Sequence, residues 1–119
     1  MEKEEFEKLV EEALSEIPGK FKKLIQNVAV IVEDTPPSGS KHSSSLLGLY
    51  HGTPFKHRGP YYGNLPPDVV VIFQKPIERI CRSHEEIKKK VREVVFHEIG
   101  HYFGLSEEDL RKIEENQFS

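Results

Sequence analysis

Residues 83–104 read as a single helix with both ends marked. Ser83-His84-Glu85-Glu86 has the pattern of a capping box, in which the serine hydroxyl and a glutamate side chain each satisfy a backbone N–H left open at a helix start. From about His84 to Phe103, Ile87, Val91, Val94, Val95 and Tyr102 fall within one broad arc at about 100° per residue. Gly104 stands where a left-handed C-terminal cap needs a residue without Cβ. Ser106-Glu107-Glu108-Asp109 repeats the capping pattern with Asp in the last place. It predicts a final helix over about 107–116, with Leu110 and Ile113 on its apolar side.

A second amphipathic helix is predicted over 3–17, where Phe6, Leu9, Val10, Ala13, Leu14 and Ile17 recur at helical spacing and Pro18-Gly19 ends the run. Phe21, Leu24 and Ile25 suggest one further short helical stretch. Three short apolar runs read as strands: 28–32, 46–50 and 69–73. Residues 35–40 and the long Pro- and Gly-rich stretch 51–68 read as loops. A loop as long as the second, in so short a chain, is usually functional or disordered.

At 119 residues the chain fits a single domain, 1–119. With 36% hydrophobic and 31% charged residues it is globular in composition. Its longest apolar run, Val69 to Phe73, is far below the roughly 20 residues that span a bilayer, so no membrane partner is expected. The start Met1-Glu2-Lys3-Glu4-Glu5 lacks a secretory pattern, and Cys81 is the only cysteine, which together suggest the cytoplasm. A lone cysteine can form neither an intrachain disulfide nor a thiolate metal cluster, and Cys81 reads as a small apolar group. Residues 1–16 hold seven Glu against Lys3 and Lys8, while the stretch 17–75 is mildly basic within a net charge of −3. No dense Lys/Arg stripe results, so nucleic acid is not the expected partner.

The chemistry lies on the long helix. His97-Glu98-Ile99-Gly100-His101 is HExxH. Residues four apart leave a helix on the same face, so two imidazole nitrogens can reach one metal ion at about 2.0–2.1 Å, as zinc requires. Glu98, about 100° further round, can meet a water instead of the metal, the place of a general base. A tetrahedral catalytic zinc needs a third protein ligand. Gly104 lets the chain turn back, and Glu107 then offers a carboxylate, with Glu108 and Asp109 as alternatives. The remaining histidines His42, His51 and His84 carry no motif.

The string from His97 to Glu107, HExxHxxGxxE, resembles the minimal zincin-like metallopeptidases, small bacterial proteins. Two upstream segments share the resemblance: Gly48-Leu49-Tyr50-His51-Gly52-Thr53-Pro54, similar to the family's G-x-Y-x-G-x-P, and Leu65-Pro66-Pro67-Asp68 running into Val69–Phe73 and a turn led by Lys75-Pro76-Ile77. The family usually carries Asp where this chain has the longer Glu107. The resemblance implies an α+β, minimal zincin-like fold: a small twisted sheet of about three or more strands, packed against the HExxH helix and flanking helices, with a cleft bordered by an edge strand. It also implies one Zn²⁺ per chain, held by His97, His101 and Glu107, and a peptide or protein substrate hydrolysed with Glu98 as general base. Tyr61, Tyr62, His57 and Arg58 of the long loop are candidates for stabilising the oxyanion or holding substrate. Two rival readings keep the metal: an RNA-processing nuclease, whose ligand spacing is similar but which lacks the glutamate after the first histidine, and a catalytically silent zinc-binding module.

Overall fold

The computed structural model describes residues 1–25, 27–37, 46–52 and 68–118. His42 and the loop candidates His57, Arg58, Tyr61 and Tyr62 lie outside them. The elements run in the order α1 (Lys3–Ser15), α2 (Gly19–Lys22), β1 (Val28–Glu33), β2 (Gly48–His51), β3 (Asp68–Phe73), α3 (Gln74–Ile80), α4 (His84–Tyr102) and α5 (Glu107–Phe118). The fold is α+β: helices against a mixed three-stranded sheet in the order β1-β3-β2. β3 pairs parallel with β1 and antiparallel with β2, which leaves β2 at one edge among the described residues.

Alternation sorts the strand residues between two faces. The register aligns Val30, Val70 and Tyr50 in one row and Val32, Ile72 and Gly48 in the next. This face meets α4. Val70 and Ile72 are fully buried against Val91 and Val95, and Phe6, Leu9, Val10 and Ala13 of α1 close the same core. The amphipathic N-terminal helix thus packs on its own chain. Two exposed ion pairs, Lys88–Glu12 at 3.9 Å and Arg92–Glu16 at 3.3 Å, follow the α1–α4 seam.

The predicted capping box at α5 forms in full, and the one at α4 forms with its glutamate reaching one residue before the N-cap. The Ser83 hydroxyl accepts from Glu86 N–H at 3.1 Å, and the Glu86 carboxylate takes the N–H of Arg82. At α5, Ser106 Oγ and Asp109 Oδ2 each accept the other residue's backbone N–H at 3.1 Å. One local expectation is corrected: Lys75-Pro76-Ile77 is not a turn but part of the helix α3. Pro76 lies in that helix's first turn, where its missing N–H would have had no intrahelical partner. The N–H of Lys75 is satisfied by Asp34 O at 3.0 Å, and Pro76 and Ile77 are buried. Among the described residues, no helix is long and apolar enough to cross a membrane.

Candidate metal centre

The site lies at the C-terminal end of α4 and the start of α5. α4 turns off through two hydrogen bonds, Gly104 N–H to His101 O at 2.9 Å and Leu105 N–H to Gly100 O at 3.1 Å. This is the paired pattern of a helix that ends on a left-handed residue, and Gly104 has φ of 86°. The bend returns Glu107 over the last turn of α4. Nε2 of His101 lies 2.6 Å, and Nε2 of His97 3.2 Å, from Glu107 carboxylate oxygens. Ligand atoms of His97, His101 and Glu107 all lie within 4.8 Å of one another. The two rings stand nearly perpendicular, with centroids 4.9 Å apart. This cluster contains Glu107, and neither alternative carboxylate, Glu108 or Asp109, is part of it.

Proton bookkeeping shows what this cluster wants. His101 Nδ1 lies 3.1 Å from Leu105 O, and a carbonyl can only accept, so the ring nitrogen donates there. In the neutral ring Nε2 then presents a lone pair. It faces a carboxylate oxygen, another acceptor. Two acceptors 2.6 Å apart need a shared proton or a cation between them. Burial raises the Glu107 carboxyl, but the hydrogen bonds from His97 and His101 and their charges outweigh it and hold the group below its ordinary value.

Glu98 differs in kind. The helical arc of apolar residues passes close to it, and the structure places it inside the buried stripe: its relative exposure is 8%, beside buried Val94, Val95 and Tyr102. Burial drives its pKa up; the nearby His97 and His101 charges and a hydrogen bond from the Tyr50 backbone N–H pull the other way without cancelling the rise. Edge strand β2 therefore touches the carboxylate directly. It can come so close because Gly48 has no side chain: a Cβ there would stand 2.7 Å from Val94 Cγ1 and 3.2 Å from Glu98 Cγ.

The two upstream segments meet at this edge. The Tyr50 hydroxyl donates to Asp68 Oδ2 at 2.6 Å, and Asp68 is 1% exposed. Gly52, at φ of 155°, lies over the same carboxylate, where a Cβ would fall 2.3 Å from Oδ1. Tyr50 also meets Tyr102 edge to face at 6.2 Å. Sequence reasoning missed the Tyr50–Asp68 pair, because partners eighteen residues apart on different strands share no local pattern. It also missed Arg111, which with His97, Glu107 and Glu108 lines an open cleft of about 370 Å³. One turn beyond a ligand candidate was the available signal. Cys81 packs at the edge of the core, and burial, with Glu86 and Glu93 nearby, pushes its thiol up, away from the reactive thiolate.

Among solved structures, the fold is similar to a conserved hypothetical protein from Thermus thermophilus, with a TM-score of 0.57 and 24% identity over 85% of this chain and 92% of that one. Among curated proteins none matches. The model of the zincin-like metallopeptidase family matches residues 25–117, most of the chain and the whole of the site described above. The chain belongs to the zincin-like metallopeptidase family.

Proposed function

We propose that this protein is a zinc-dependent peptidase whose single zinc is held by His97, His101 and Glu107. The observation that carries the reading is the meeting of two imidazole nitrogens and one carboxylate oxygen at one point, next to a buried carboxylate on the same helix. Two nitrogens and one oxygen are a donor set that suits zinc and leaves a fourth position open. The Leu105 carbonyl, by accepting a hydrogen bond from His101 Nδ1–H, fixes which nitrogen would face the ion. Bound there, zinc would supply a Lewis acid that polarises a carbonyl and acidifies a water molecule.

The chain's own groups do the rest. Glu98 takes a proton from the attacking water at its carboxylate and delivers it to the leaving amine. Its raised pKa makes it a stronger base than an exposed glutamate. The Tyr50 N–H aims the carboxylate, so edge strand β2 sets its orientation. Arg111 supplies positive charge to the cleft beside the site. The substrate class is peptide or protein, and the glutamate next to the first histidine is what favours it over RNA.

Glu98→Gln tests the reading. The variant should bind zinc as the parent does and lose peptide hydrolysis by about 10²–10⁴-fold, read on a generic peptide library with and without chelator. Full hydrolysis in the variant removes Glu98 as base. Zinc uptake with no hydrolysis in the parent points to the silent module, and salt-dependent cleavage of RNA to the nuclease.

A further inference from the structure

The third ligand candidate is held differently from the first two. His97 and His101 project from α4, a helix buried along one face from Val91 to Tyr102. The Glu107 side chain is 74% exposed, so little packs against it. Its carboxylate lies wherever α5 puts it. Among the described α5 side chains, 107–112, Leu110 alone is buried, at 4% exposure. Leu110 rests on Gly100. A Cβ at that glycine would stand 2.2 Å from Leu110 Cδ2 and 3.3 Å from Cγ. Gly100 has ordinary helical backbone within α4, where glycine costs about 1 kcal/mol relative to alanine. The backbone there does not ask for glycine; the approach of α5 does.

We propose that Gly100 and Leu110 are positioning residues for Glu107: a notch between the two histidines receives one leucine and thereby seats the third ligand. This rests on the metal-centre reading above. Glu107 lies three residues before Leu110, about 4.5 Å along the helix axis. A methyl at Gly100 forces Leu110 Cδ2 to move by about 1 Å and Cγ by a few tenths before ordinary contact returns, and the buried leucine passes part of that shift to α5. Metal coordination tolerates only about 0.2 Å. A small displacement of α5 therefore removes the carboxylate from the ion while both imidazoles stay in place. The glycine inside HExxH and the leucine three residues beyond Glu107 thus act as one device, joined across the Gly104 bend.

The test uses Gly100→Ala and Leu110→Ala, each alone and each with Glu107→Ala. Zinc affinity is read by competition with a chromogenic chelator, and the coordination sphere by the visible absorption of the cobalt-substituted protein. Each single variant should weaken zinc binding tenfold or more and shift the cobalt spectrum to that of Glu107→Ala. Neither should weaken binding further once Glu107 is already gone. Unchanged affinity and spectrum overturn the proposal. So does an equal loss in the Glu107→Ala background, since the effect would then run through the histidines or the fold. If Gly100→Ala fails to fold, Leu110→Ala, which only removes atoms, decides. Failure of the metal-centre reading looks different: the parent protein itself takes up no zinc.

Discussion

Glu98 is a carboxylate that the fold buries at a cost. A carboxylate buried in the stripe that holds Val94, Val95 and Tyr102 is costly to ionise, and one backbone N–H from Tyr50 compensates only in part. The sign of the consequence follows from linkage. The folded protein keeps the Glu98 proton to higher pH than the unfolded chain, whose value is near the ordinary 4.5. Between those two values the folded state binds more protons, so stability falls as pH rises. Above both, the full cost is present. Chelator-treated Glu98→Gln should therefore melt at a higher temperature than chelator-treated parent above the ordinary carboxylate range, and the two curves should converge in acid. Parallel curves from pH about 4 to 8 would show that burial does not act on this group. Glu107 has the opposite sign: its lowered pKa adds stability that is lost as pH falls. Its exposure keeps that contribution small.

At the scale of elements, the site depends on how closely β2 and α4 approach. Gly48 faces Val94 and Glu98 on one side and the Val71 carbonyl on the other, at 2.7 to 3.2 Å from a hypothetical Cβ. Gly48→Ala overpacks that seam, where stiff, β-branched Val94 and the backbone carbonyl of Val71 leave little room to give way. The substitution should cost about 1–3 kcal/mol in urea unfolding, with an unchanged slope. An unchanged midpoint would mean that the strand shifts freely on the helix. The N-terminal cap of α4 is simpler to test. Ser83→Ala removes the acceptor of the Glu86 N–H and should cost about 1 kcal/mol in the same measurement. The α3 helix makes the complementary point. The family resemblance suggested a proline-led turn here, but a proline in a first turn leaves the helix intact.

For the whole molecule, a zinc ion at the proposed site would tie the α4–α5 junction to global stability. The proposed ligands come from two helices and are apart in the unfolded chain, so binding free energy would add to folding free energy. At zinc a hundredfold above its dissociation constant the gain is about 2.7 kcal/mol, or roughly 10 °C in Tm for a chain of this size. Excess chelator should reverse it, and His97→Ala should show no zinc-dependent shift. A parent Tm indifferent to zinc would exclude a preformed site. The sheet's outer face, with Ile31 and Leu49 about two-fifths exposed on either side of Val71, takes no part in this coupling.

Local patterns carried the helices, both capping boxes and the ligand spacing in the sequence, because each depends on residues within one or two turns of one another. His97 and His101 face one point by helical periodicity alone, and Gly104 announced the bend that follows. The resemblance marked Gly48, Tyr50, Gly52 and Asp68 without explaining them. Their reasons are distances across the fold: Gly48 against Val94 and Glu98, Gly52 and Tyr50 against the Asp68 carboxylate. Only the tertiary structure decided that Glu98 is buried, that Glu107 reaches both imidazoles, and that Leu110 seats on Gly100. Chain periodicity specifies which way a side chain leaves its own helix. What it meets there depends on elements whose packing no local pattern encodes.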